Sequence, residues 1–92
     1  MTIHLHQYDI PDNLSFHGTV AVDTETSGLN LKRDRLCLIQ LSDGNGDAHL
    51  VQFPTPRYEA PRLKRLIADE TVTKIFHFAR FDIAVLSQRL NV

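Results

Sequence analysis

A chain of 92 residues is at most one small domain with a thin core. Its 42% hydrophobic and 23% charged residues exclude a disordered polymer, and no apolar run approaches the roughly 20 residues of a membrane-spanning helix. A formal net charge of −1 argues against a protein that holds nucleic acid mainly by counterion release, so any phosphate binding must be local.

The opening MTIHLHQYDI lacks the basic-then-apolar order of a secretory signal, so a cytoplasmic location and no membrane partner are expected. Within it, IHLHQ alternates and predicts a short edge strand carrying His4 and His6 outward, as surface residues rather than metal ligands. DIPDNLSFHG is a loop by its Pro11, Asp12, Asn13 and Gly18. Residues 19–23, TVAVD, are β-rich and nearly continuous in apolar character, as in a strand buried on both faces. RLCLIQLS at 35–42 repeats that pattern, and its Cys37, the only cysteine, reads as a packed core thiol. DGNGD at 43–47 is a tight connection to AHLVQF, which completes a β-hairpin. A helix starts near Pro61, with Leu63, Leu66 and Ile67 on one stripe. TKIFHF at 73–78 is a short strand. The last helix carries Ala79, Ile83, Leu86 and Leu90 at i, i+4, i+7, i+11, with Phe81 and Val85 beside them. From residue 19 the order is β, β, β, α, β, α. The basic residues Lys32, Arg33, Arg35, Arg57, Arg62, Lys64 and Arg65 read mostly as solvated surface charges.

A helix between strands makes a right-handed crossover to a parallel strand. If the strand at 74–77 lies beside that at 19–23, their carboxyl ends are adjacent, at the edge where open α/β sheets bind ligands. Asp23 and Glu25 leave the first end, and Asp82 sits in the first turn of the helix after the second. Three carboxylates converging there repel one another unless cations intervene, and hard oxygen donors suit Mg²⁺ or Mn²⁺. Singly, each aspartate has an ordinary structural reading, as turn former or first-turn residue. DTETSG imitates the start of an EF-hand loop, but that loop would end at Asp34 instead of glutamate and would follow a strand.

VAVDTETSGL with RDRLCLIQLS, and then KIFHFARFDIAVL, resemble the first and second motifs of the DEDD superfamily of 3′→5′ exonucleases, ribonuclease D above all. The resemblance runs from about residue 19 to the end. It implies an α/β, ribonuclease H-like mixed sheet flanked by helices. It also implies two divalent cations, Mg²⁺ or Mn²⁺, with Asp23 bridging them, Glu25 on one and Asp82 contributing from the second motif. Thr24, Thr26, Leu29 and His77 fall at positions that by resemblance contact substrate, Leu29 as an apolar contact to the terminal base. For His77 the residue itself reads as buried and hydrogen-bonded, with catalysis a minority role. Phe81 is expected in the core. The family's third motif, with a fourth carboxylate and a tyrosine or histidine that helps activate water, does not occur in these residues. Residues 1–92 are therefore expected to be the amino-terminal portion of one exonuclease domain whose carboxyl-terminal part, a further strand and helix included, is missing. The implied partner is single-stranded nucleic acid with a free 3′ end, RNA preferred over DNA, with self-association through an open sheet edge. Two alternatives stay open: a fragment that binds nucleic acid or a partner without cleaving, and a DNA-directed proofreading exonuclease.

Overall fold

The structure, a computed structural model, describes residues 2–28, 30, 33–77 and 79–92, the side chains of residues 79 and 80 excepted. The strands are β1 (Thr2–Gln7), β2 (Thr19–Thr26), β3 (Leu36–Ser42), β4 (Asp47–Gln52) and β5 (Thr73–Phe76), and the helices are α1 (Pro61–Ala68) and α2 (Ala79–Leu90). They form one five-stranded mixed sheet in the order β1-β4-β3-β2-β5. β2, β3 and β4 are antiparallel neighbours, whereas β1 pairs parallel with β4 and β5 parallel with β2. The β3–β4 turn has Gly44 at φ 88° and Gly46 at φ 89°, a region open to glycine, and the Asn45 amide donates to Asp43 Oδ1 at 2.9 Å. The predicted hairpin, edge strand and β2–β5 parallel pairing are all present.

Alternation along each strand separates two faces. Val20 and Val22 of β2, Ile39 and Leu41 of β3 and Val51 of β4 share one cluster with Leu63 of α1 and with Val85, Leu86 and Leu90 of α2. Both helices therefore cover the same face. Leu63 is fully buried, a contribution of about 2 kcal/mol from a single leucine. Helix α1 begins at Pro61 behind Ala60, which has no side-chain cap. Its first amides are instead taken by Asp9, far away in sequence: Leu63 N donates to Oδ1 at 2.8 Å and Arg62 N to Oδ2 at 3.1 Å.

The other face carries no helix among the described residues. Ile3 and Leu5 of β1 are 62% and 60% exposed, and Ile75 of β5 is 55% exposed. This reverses the reading of β1. His4 and His6 point toward the covered side, half-buried, and stack with His49 of β4 at centroid separations of 4.5 and 5.3 Å, while Phe16 meets His49 edge-on at 5.9 Å. Period two was legible in IHLHQ. Which face met the core was not, because Phe16, in a loop, supplies the apolar surface.

Helix α2 is also turned from its predicted stripe. Asp82, Val85, Leu86 and Leu90 face inward, and Ile83 is 52% exposed. With apolar residues on both sides of the helix, contacts with β2 and β5 decide the rotation, and they bring Asp82 inside. Phe81 packs half-buried against the core, as expected. Cys37 is half-buried, not core. The β2–β3 register shifts between Glu25 and Thr26, pairing Glu25 with Leu38 but Thr26 with Leu36, so Cys37 is the extra residue of a bulge.

Candidate active site

β2 stays extended through Thr26, so Asp23 and Glu25 project together from the uncovered face and are exposed, while Thr24 between them points to the helix side. There the Thr24 hydroxyl donates to Asp82 Oδ1 at 2.5 Å. Asp82 is 3% exposed, and its Oδ2 is buried with no hydrogen-bond partner among the described residues. The parallel register of Val22 with Phe76 sets the carboxyl ends of β2 and β5 side by side, which is how α2 comes to begin beneath Thr24.

Among the described residues, no three His, Cys, Asp or Glu side chains stand close enough to share one ion. The expected convergence is realised in two parts: an exposed pair on the open face and a buried acid on the helix side, linked through Thr24. Strand alternation is the reason, since adjacent residues cannot face the same way. The donor set still fits a divalent cation. It is all oxygen, two members are exposed on one face, and the third holds a buried oxygen without a partner among the described residues.

Thr24, expected to touch substrate, gives its hydroxyl to Asp82 on the helix side. Thr26 donates its hydroxyl to the Gly28 carbonyl, closing a turn at the end of β2. Leu29 lies outside the described residues. Gly28 is packed against Asp34, where an added Cβ would come within 2.2 Å of Oδ2. Asp34 anchors this β2–β3 loop by accepting from Asn30 N at 2.9 Å and Arg33 Nε at 3.0 Å, and the Arg33 bond holds its carboxyl below the usual carboxylate range. His77 is exposed, contrary to the buried reading, because β5 ends at Phe76 and the chain leaves the sheet.

Two shallow grooves flank the exposed pair. One, bordered by Ala21, Asp23, Gln40, Ser42, Ile75 and His77, runs toward β5. The second, with Glu25, Arg35, Cys37, Leu38 and Gln52 on its walls, runs toward β4. Gln40 and Arg35 were not singled out for the site from the sequence. Cross-strand pairing of Asp23 with Gln40 is the signal that finds the first; Arg35 needed the bulge.

A five-stranded mixed sheet with its acidic pair at the carboxyl end of an interior strand is the ribonuclease H-like exonuclease fold. Brucella melitensis NrnC is 48% identical over 100% of this chain and 46% of its own, with a TM-score of 0.92, and it is also known with bound Mg²⁺ and bound to pGG. Escherichia coli RNase D, an exoribonuclease involved in structured RNA processing, is 26% identical over 82% of this chain and 20% of its own, with a TM-score of 0.64. The Aedes aegypti Nibbler EXO domain, 20% identical over 96% of this chain and 45% of its own, shares the fold with a TM-score of 0.65. No curated protein matches the chain. The 3′-5′ exonuclease profile matches residues 8–92, and the chain belongs to that family. It spans about half the length of NrnC.

Proposed function

We propose that the protein is a metal-dependent 3′→5′ exonuclease that removes nucleotides from the 3′ end of single-stranded RNA, in preference to DNA, as nucleoside 5′-monophosphates. The observation that carries this reading is the placement of Asp23 and Glu25, exposed together at the carboxyl end of β2, with Asp82 held behind them by Thr24. Family membership supports the reaction, and NrnC bound to Mg²⁺ and to pGG, with RNase D, favours the cation and the RNA.

Asp23 and Glu25 would hold divalent cations, Mg²⁺ or Mn²⁺, with Asp82 contributing. Such ions supply Lewis-acid stabilisation of the phosphoryl oxygens and lower the pKa of the attacking water. The chain's own part is geometric. β2 fixes the two exposed carboxylates on one face, Thr24 orients the third, and the flanking grooves receive the strand on either side. His77 borders the groove beside Asp23, within the substrate path. The open edges of β1 and β5 are the surfaces for self-association.

The test is incubation with 5′-labelled single-stranded RNA, with and without Mn²⁺, beside the Asp23→Asn variant. A metal-dependent ladder shortening from the 3′ end, lost in the variant, is expected. A ladder of undiminished rate from Asp23→Asn refutes the metal role. The separation of Asp82 from the exposed pair favours a second reading, metal-dependent binding without turnover, and RNA retained by the wild type with no ladder would select it.

A further inference from the structure

We propose that Arg35 binds a backbone phosphate of the substrate strand in the groove beside Glu25. The inference rests on the exonuclease reading and adds to it the residue that takes the anionic strand next to the cation-holding pair.

The groove owes its shape to the bulge in β3. Cys37 and Leu38, although consecutive, both line it, because the extra residue turns the strand between Glu25 and Thr26 of its neighbour. Among the described lining residues, Arg35 is the cation and Glu25 the anion. Arg35 is held at three points. Its amide donates to Ser27 Oγ at 2.9 Å, its carbonyl accepts from Ser27 N at 3.0 Å, and Nη1 donates to the Phe53 carbonyl at 2.6 Å. The side chain is half-buried. Within the described residues only Nη1 of the guanidinium is bonded, which leaves Nε and Nη2 as donors of fixed orientation.

A planar fork already ordered by the protein loses little further freedom on meeting a phosphate, and its geometry matches two phosphate oxygens. The chain carries a net charge of −1 and presents Asp23 and Glu25 on this face. A phosphate one step along from the cation-holding pair therefore needs a local positive charge, and Arg35 supplies it. Leu38 in the wall offers an apolar contact to the sugar or base carried by that phosphate. The structural alternative is that Arg35 only clips the Phe53 carbonyl to the start of β3.

The experiment compares the wild-type chain with Arg35→Gln and Arg35→Lys, using 5′-fluorescent single-stranded RNA in Mn²⁺ and reading Kd against salt, KM, kcat and melting temperature. The expected result for Arg35→Gln is a rise of about tenfold or more in Kd and KM. Its kcat should stay within about twofold, and the slope of log Kd against log salt should shrink by about 0.7, one phosphate contact on a single strand. Arg35→Lys should keep the slope while recovering part of the affinity. Unchanged Kd and slope in Arg35→Gln, with a wild type that binds and cleaves, overturns the proposal and leaves the exonuclease reading standing. A fall in melting temperature and kcat with an unchanged slope makes Arg35 a structural clip and also overturns it. A wild type that neither binds nor cleaves RNA removes the exonuclease reading and this inference together.

Discussion

Thr24→Val tests whether β2 organises the site from behind. Valine keeps the β-branched shape and strand preference of threonine and replaces the hydroxyl with a methyl group. In the wild type that hydroxyl donates to Asp82 Oδ1 at 2.5 Å, and the other carboxylate oxygen is buried without a partner among the described residues. The substitution therefore leaves an acid that is 3% exposed without its threonine donor. A hydrogen bond to a charged group contributes about 1.5–3 kcal/mol, and an orphaned buried acceptor costs a similar amount. We expect a loss of about 2 kcal/mol, which for a chain of this length lowers the melting temperature by roughly 8–16 °C.

The assay is thermal or urea unfolding of the wild type, Thr24→Val, Thr24→Ser, Asp82→Ala and the double variant Thr24→Val with Asp82→Ala. Serine retains the donor and should recover most of the loss. With Asp82 already removed, Thr24→Val should cost little, since no acid remains to be orphaned, and the cycle should return a coupling of about 2 kcal/mol. A Thr24→Val protein as stable as the wild type, or one losing equally in the Asp82→Ala background, refutes the argument.

Asp9→Ala should destabilise the chain by about 1 kcal/mol in urea unfolding, since Asp9 takes the Arg62 and Leu63 amides where Ala60 offers no cap. Acid should weaken the β1–β4 edge. Burial, reinforced by the nearby His4, holds His6 and His49 below the ordinary value of 6.5, so the unfolded chain takes up protons first and the stability present above that value declines as the pH falls through it. His49→Phe, which keeps a ring in the stack, should flatten the fall in melting temperature between about pH 7.5 and 5.5.

Much of the architecture was legible because each element announces itself locally. TVAVD and LCLIQL are apolar runs of strand length, and DGNGD is turn chemistry whose own two glycines have positive φ. What was not legible depends on partners distant in sequence. The orientation of β1 follows from Phe16, the rotation of α2 from Thr24 and the parallel β5, and the cap of α1 from an aspartate more than 50 residues away. The site divides in the same way. That Asp23 and Glu25 share a face is read from their spacing, since two residues apart on a strand point the same way. The depth of Asp82 is not, because a helix with apolar residues on both sides has no single inward stripe. Cys37 and Arg35 escaped for another reason: Cys37 was read as core from its apolar run and Arg35 as a solvated charge, and neither reading carries a sign of the bulge that sets both beside Glu25.

The alternation of β2 also separates stability from chemistry, which makes the Asp23→Asn test clean. Val20, Val22 and Thr24 look inward, the two valines into the core cluster; Ala21, Asp23 and Glu25 look outward and are exposed. Two like charges on one face of a strand repel without a cation between them, so neutralising one relieves a cost and breaks no buried contact. Asp23→Asn and Glu25→Gln should accordingly unfold no more easily than the wild type and should lose most of their Mn²⁺-induced rise in melting temperature, since only a folded state that binds the ion gains from it. A variant that melts well below the wild type without metal would mean that the exposed pair holds the fold together, and the assignment of β2's outward face to catalysis would have to be given up.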